Sequence, residues 1–392
     1  VADRSFKHFF FAGGGTGGHI YPNLAVADSV SHLDKEAYIT FFCSRREVDA
    51  RVLSPTGYEF LPLPAVGFGI RPKQFAQFFA QFFASYGFVK HVMAPVRHEA
   101  AVIGTGGFVT APVVMAARAL KIPVFLINVD GKPGKANRFL GRLARRIFVQ
   151  FEDSKKYFKG AQKSVAVTGC PLRKEFEASF SNRAGDVGTA SNKSFFDKLR
   201  SAGLEIQEGK KILLVTGASS GARNINEAMI RLLDQLKAFA GAWQVVHLTG
   251  QAEYARVREA VQSEAAWYHA VDYWDDMATL LGAADIVVGR AGAVSVAEYA
   301  AAGAATVCLP YPYHKDRHQY QNAEVLAKEG AAVVVEDRIT EPQRTATELG
   351  TVLKDLMSDD RRRQAMRAAA RRIGKTNAAD EIAKIVLGSQ LF

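Results

Sequence analysis

Two stretches of this chain, one starting at Lys7 and one at Lys210, are built in the same order, and that repetition narrows the possible folds more than any other feature. "KHFFFAGGGTGGHIYPNLAVADSV" and "KKILLVTGASSGARNINEAMIRLL" each read as a buried strand, a glycine turn and an amphipathic helix. Further apolar runs alternate with helical patterns: "AVIGTGG", "IPVFLIN", "RRIFVQF" and "SVAVTG" in the first half, and "WQVVHLTG", "ADIVVGR" and "ATVCLP" in the second. Such alternation predicts parallel sheets covered by helices, hence two doubly wound α/β domains. The length of 392 residues agrees, since a domain takes roughly 100–200 residues. The expected division is 1–180, a linker or insertion over 181–209 where "SFSNRAGDVGTASNKS" lacks an apolar period, 210–375, and a C-terminal helix over 376–392. The arginines of "DDRRRQAMRAAARRIGK" read as a solvated helix face.

Composition excludes some classes and leaves others open. The formal net charge of +11 favours an anionic partner without choosing among nucleic acid, an acidic membrane and a phosphorylated small molecule. Cys43, Cys170 and Cys308 are too few and too scattered for a disulfide framework or a CxxC metal site, and a reducing compartment is expected. No run of about 18 uncharged apolar residues occurs, so no bilayer-spanning helix is expected.

The glycine turns point to phosphate. "GGGTGG" satisfies G-x-G-x-x-G through Gly13, Gly15 and Gly18, between a strand and a helix. A dinucleotide would also want an acid after the second strand, and "FFCSRRE" supplies Ser44, Arg45 and Arg46, which would suit only a 2′-phosphate. An NADPH-dependent reductase is therefore one reading. A second glycine turn, "TGASSGA", and a third junction, "GRAGAVSVAEYAAAG", gather backbone N–H groups in the second half as well, which one dinucleotide does not explain. Small residues Ala291, Gly292, Ala293 and Ser295 open that last helix to a ligand, and Glu298 shares a face with Ser295 to meet a ribose diol. In "PYPYHKDRHQYQNAE", Gln319 and Asn322 share a helical face at a strand's carboxyl end; His314 and His318 lack a third ligand, and the chain has no Asp-x-Asp, so no metal is expected.

Taken together, "GGGTGGH", "TGGFVTAP", "GCPLR", "GASSGA", "GRAGAVSVAE" and "HKDRHQYQNA" resemble, in order, the motifs of MurG-type glycosyltransferases from about Phe9 to the last helices. The resemblance implies a GT-B fold, two Rossmann-like doubly wound parallel-sheet domains facing a cleft. It also implies inverting transfer of N-acetylglucosamine from UDP-GlcNAc to the lipid-linked muramyl-pentapeptide, lipid I, with no cofactor or metal and no nucleic-acid partner. The location implied is the cytoplasmic face of the bacterial inner membrane, peripherally bound. The UDP-sugar would be held by Thr16, Gly17, Gly18, Arg173, Ser219, Gly292, Ala293, Val294, Glu298, His318, Gln319 and Asn322. Gly14, Gly15, Gly106, Gly107, Phe108 and Thr110 would form the acceptor side. The sequence departs from the family pattern at "INVD" (Ile127 to Asp130), at His318 and at Ser220, each in place of an amide residue. A UDP-sugar transferase with another lipid acceptor, the reductase and a catalytically silent nucleotide-sugar binder stay open as alternatives.

Two further expectations concern chemistry and location. His19 directly follows the glycine turn, where an imidazole with an ordinary pKa of about 6.5 can accept the acceptor's proton; Asp130 is a second candidate base. In "FGIRPKQFAQFFAQFFASYGFVKHVM", Phe75, Phe78, Phe79, Phe82, Phe83 and Tyr86 recur at helical spacing opposite Gln74, Gln77, Gln81 and Ser85, with Lys73 and Lys90 flanking. Such a helix suits an anionic membrane interface or packing on its own sheet.

Overall fold

The computed structural model describes residues 6–69, 71–181, 189–218, 221–313 and 317–388. They form two compact units, residues 1–174 with 376–392 and residues 175–375.

Unit 1 is a parallel sheet of β1 (His8–Ala12), β2 (Tyr38–Ser44), β3 (Glu59–Leu63), β4 (Ala100–Gly104), β5 (Val124–Asn128), β6 (Arg146–Val149) and β7 (Val165–Val167), in the order β3-β2-β1-β4-β5-β6-β7. Its central strands read as unbroken apolar runs because helices cover both faces. Phe11 lies in register with Phe41 on β2, and the rings stack at 5.2 Å. Unit 2 repeats the scheme with β8 (Lys211–Thr216), β9 (Trp243–Leu248), β10 (Tyr268–Val271), β11 (Ile286–Gly289), β12 (Ala305–Cys308) and β13 (Ala332–Val334), in the order β10-β9-β8-β11-β12-β13. Both sheets run outward from their first strand and reverse beside it, between β1 and β4 and between β8 and β11.

The division of the chain differs from the sequence expectation in two respects. The first unit ends at Lys174, because the helix Lys174–Phe180 packs Phe176 and Phe180 into the second unit, where Phe180 lies 6.0 Å from Phe195. Phe195 belongs to the helix Thr189–Ser201, so much of the expected linker is a packed helix; its apolar face includes Phe195 and Leu199, both buried. The C-terminal helix Ala378–Gly388 belongs to unit 1, against the helix Gly17–Leu33 that follows the glycine turn. The arginine-rich helix Asp360–Ile373 is also not wholly solvated: Arg363 is buried and lays its guanidinium over Trp243 at 4.9 Å.

Unit 2 buries a polar chain on β9. The amide nitrogen of Asn226 donates to the Thr249 carbonyl (2.9 Å), so its oxygen accepts from His247 Nε2 (3.0 Å), and His247 Nδ1 accepts from the Tyr268 hydroxyl (2.8 Å). Those bonds suit neutral imidazole, and burial pushes its pKa down to about 3. The unfolded chain takes up a proton below about 6.5 that the folded chain refuses until about 3, so stability from this group is full above pH 6.5 and falls on acidification. Urea midpoints measured from pH 6.5 to 4.5 are expected to fall with a contribution of about 1.4 kcal/mol per pH unit from His247. A His247→Gln variant, less stable at neutrality, should show a shallower decline.

Candidate functional sites at the two switch points

In open parallel sheets the loops at the strands' carboxyl ends part where strand order reverses, leaving a crevice for ligands. Each unit is described here by itself.

In unit 1 the crevice is flanked by the glycine turn after β1 and the Thr105–Gly107 turn after β4. The turn's anion slot is already filled. Asp49, fully buried, accepts from the Gly15 N–H at 2.9 Å, from the Ser44 N–H at 2.8 Å and from the Ser44 hydroxyl at 2.6 Å. A Cβ on Gly14 would collide with that carboxylate, which is why this turn needs a glycine there. Arg46 donates to the Gly15 carbonyl (2.8 Å) and lies 5.6 Å from the Phe108 ring centre. A phosphate entering the turn would meet a buried carboxylate, and Arg46 is engaged with the turn itself; the dinucleotide reading fails on these contacts.

His19 is the third residue of the helix Gly17–Leu33, and its carbonyl accepts from the Thr105 hydroxyl at 2.8 Å, which in turn takes a hydrogen bond from Asn23 at 3.3 Å. These bonds tie the first turn of the helix to the end of β4. The imidazole lies along Gly107 (φ +78°): a Cβ added there would stand 3.5 Å from His19 Nε2. Thr110, expected on the acceptor side, is fully buried, accepting from the Gly106 N–H (3.1 Å) with its hydroxyl 2.9 Å from the Ala12 carbonyl; it fastens the turn. Phe108 stays partly exposed beside Gly15. Asp130, half-buried, follows β5, and its carbonyl accepts from Asn128 at 2.7 Å; Asn128 accepts from Asn137, which packs under Gly106. Arg173 also belongs to unit 1 and lies 5.3 Å from the ring centre of Tyr21, which packs against Gly17.

The crevice of unit 2 opens on the helix after β11, whose start, like that of Gly17–Leu33, has no side-chain cap. The helix Ala293–Ala302 begins at Gly292 with no side-chain cap and no acid in its first turn, so its leading N–H groups and positive dipole end are available to an anion. Val294, Ser295 and Glu298 are partly exposed. Gln319 Oε1 accepts from the Ala291 N–H (3.2 Å) and the Tyr311 N–H (2.9 Å), joining the loops after β11 and β12. Asn322 is fully buried and donates to the Ala291 carbonyl at 3.2 Å, so it shapes the helix start from beneath. Arg290 donates to the Leu309 carbonyl (2.9 Å) and pairs with buried Asp337 (2.7 Å), which accepts from Asn224 (2.9 Å). That pair braces the ends of β11, β12 and β13. His318 is partly exposed at the start of the helix His318–Lys328. Ser219, Ser220 and His314 lie outside the described residues.

Burial pushes the Cys43 and Cys308 thiols up to about 12, so neither is a nucleophile near neutrality. Among the described residues no group of three or more His, Cys, Asp or Glu could hold a metal ion.

Comparison with known proteins fits this pair of units. Residues 9–149 match the glycosyltransferase family 28 N-terminal domain, and residues 212–385 match the family's C-terminal domain. The chain belongs to glycosyltransferase family 28. Family 28 relatives include two proteins named UDP-N-acetylglucosamine–N-acetylmuramyl-(pentapeptide) pyrophosphoryl-undecaprenol N-acetylglucosamine transferase. That of Geobacter sulfurreducens is 34% identical, covering 96% of this chain and 97% of its own length. That of Halothermothrix orenii is 33% identical, with the same coverages. Among solved structures, MurG of Acinetobacter baumannii superposes with a TM-score of 0.69 at 24% identity, covering 97% of this chain and 99% of that one. UDP-GlcNAc 2-epimerase of Neisseria meningitidis, bound to UDP-GlcNAc, gives 0.67 at 17% identity, covering 97% and 99%. At those identities the superpositions establish the fold, which is the expected GT-B class.

Sequence reasoning missed Asp49, Arg290 and Asp337. Removing the carboxylate in Asp49→Ala strands two buried N–H donors at about 1–3 kcal/mol each. A loss of about 2–5 kcal/mol is expected from denaturant midpoints, and a change below about 0.5 kcal/mol would contradict the assigned bonds.

Proposed function

We propose that this family 28 chain transfers N-acetylglucosamine from UDP-GlcNAc to lipid I, the lipid-linked muramyl-pentapeptide, giving lipid II. The observation that carries the reading is the electrostatic contrast between the two crevices. Both units start their helix without a side-chain cap or an acid in its first turn, but in unit 1 Asp49 occupies the glycine turn ahead of the helix and an imidazole lines it, whereas the start in unit 2 is offered to a diphosphate. The names of the relatives supply the substrates.

In this reading the UDP diphosphate lies on the amides of Gly292 and Ala293, with Val294 along the nucleotide and Glu298 accepting from the ribose hydroxyls. His318 and Gln319 face the sugar, Asn322 holds the Ala291 carbonyl beneath it, and Ser219 belongs to the phosphate side. Gly14, Gly15, Gly106, Gly107 and Phe108 form the acceptor side, with Thr16, Gly17 and Gly18 at the helix start beside it. His19 takes the proton of the acceptor hydroxyl as its oxygen bonds to the anomeric carbon; the bond from that carbon to the diphosphate oxygen breaks, and UDP leaves with the electron pair. One displacement inverts the anomeric centre. The helix start and Arg173 stabilise the departing charge electrostatically, so the reaction is expected to proceed in chelator.

The substrate's lipid places the enzyme at a membrane surface, in our reading the cytoplasmic face. No helix among the described residues is long and apolar enough to cross a bilayer. The helix Pro72–Met93 carries Phe75, Phe79 and Phe83 exposed at 46%, 40% and 63%, in a ladder of ring contacts with Phe68, Phe78 and Phe82. Lys73 and Lys90 are exposed on the same helix. Its inward side carries Ser85, Val89 and Met93, so Ser85 lies buried rather than on a solvent face. A chain that buries serine and exposes phenylalanine on one helix has a second apolar surface to satisfy.

In a radiolabel transfer assay with a lipid I analogue, His19→Ala is expected to lower kcat by about 10²–10⁴ while UDP still raises the melting midpoint. Normal turnover in that variant, with loss in Asp130→Asn, would move the base to Asp130. Phe79→Ser with Phe83→Ser should reduce co-sedimentation with anionic liposomes at low salt, and undiminished binding would refute the docking surface.

A further inference from the structure

In unit 2 one buried carboxylate reaches two elements that leave the sheet on either side of the reversal in strand order. Asp337 follows β13, at the edge of the sheet. Its Oδ2 accepts from Arg290, the residue before Ala291, at 2.7 Å, and its Oδ1 accepts from the amide of Asn224 at 2.9 Å. Asn224 is the second residue of the helix Arg223–Arg231, which leaves the second glycine turn, and Gly217 of that turn lies against the Ala222 nitrogen at the helix start. β8 and β11 are neighbours whose last residues, Thr216 and Gly289, are in register, so the two helices start beyond adjacent strand ends. Like Ala293–Ala302, the helix Arg223–Arg231 has no side-chain cap and no acid in its first turn.

Stability alone does not account for this arrangement. Arg290 and Asp337 are only 7% and 3% exposed, and burying two charges costs desolvation that their attraction often no more than offsets, so apolar residues of equal volume would stabilise as well. What the ion pair adds is a single geometry. Arg290 also donates to the Leu309 carbonyl at 2.9 Å, its guanidinium lies 5.5 Å from the ring centre of Tyr311, and its own carbonyl accepts from the Tyr299 hydroxyl at 3.2 Å. With Arg290 held in this way, the bond from Asp337 to Asn224 fastens the helix of the glycine turn to the residue that precedes the other helix start.

We propose that the Asn224–Asp337 bond is a positioning tie for the nucleotide diphosphate: it sets how the glycine turn after β8 stands against the helix start at Gly292, without touching the ligand. The inference rests on the donor reading above, in which both elements meet phosphate. A diphosphate has two phosphates to seat, and donors on two helix starts serve it only when their spacing is fixed. A nucleoside without phosphate makes no such demand. Asn224→Ala cuts the tie at its half-buried end, keeps the Arg290–Asp337 pair and places a strong helix former in a helix, so the variant is expected to melt with the wild type. The full chain and the variant should be titrated with UDP by calorimetry and with uridine by saturation-transfer NMR. The tie predicts UDP binding weaker by at least about tenfold in the variant, with uridine binding unchanged. UDP bound equally well by both proteins, or uridine weakened by the same factor as UDP, overturns the tie and leaves the donor reading standing. A wild-type chain that binds no UDP overturns the donor reading and the tie with it.

Discussion

A parallel sheet wound outward from its first strand has one place where neighbouring connections leave in opposite directions, and the glycine turns and helix starts of each unit are arranged around that gap. Between β1 and β4, and again between β8 and β11, the loops part and a helix start faces the opening. Each helix start brings a positive dipole end and N–H groups without helical partners. Neither helix start has a side-chain cap or an acid in its first turn; what differs between the units is the turn ahead of the helix. In unit 1 the Gly15 and Ser44 N–H groups of that turn donate to buried Asp49; in unit 2 the Ala291 N–H donates to the neutral amide of Gln319. The same architecture therefore presents one turn that holds a buried carboxylate and one that is held by neutral amide groups.

The polar residues around both crevices hold loops to one another more than they line open space. Thr105, Thr110, Asn23, Asn128 and Asn137 fasten the turns of unit 1, and Gln319, Asn322, Arg290 and Asp337 fasten those of unit 2. Such bonds are individually modest, but leaving any of these buried groups unpaired is costly. The turns are thereby held in one geometry by internal bonds, and fixed geometry is what allows a site to position its substrates.

Much of this was readable before any coordinates. Two strand–turn–helix restarts predicted two doubly wound units, and the small residues at Ala291–Ala293 marked the uncapped helix because only small side chains leave its amides open. The roles of Thr110 and Asn322 were not readable: a hydroxyl or amide near a motif looks the same in sequence whether it points at a ligand or at a carbonyl of the next loop. Asp49 was hidden for a related reason, since it stands 34 residues from the Gly15 amide it satisfies. The helix of phenylalanines was placed by its period, and Phe75, Phe79 and Phe83 are exposed; spacing alone left docking and packing both open, and it did not show that Ser85 would be buried.

The sequence by itself determined the elements, their parallel order and the positions of the glycine turns, because local sterics and apolar periodicity act over a few residues. Tertiary structure alone decided which turn would hold a buried carboxylate, which polar side chains would be spent as fasteners, and that the C-terminal helix would return to the first unit. Those outcomes depend on buried charges and donors meeting partners far away in the chain, and pairing at long range is settled only when the folded backbone brings them within about 3 Å.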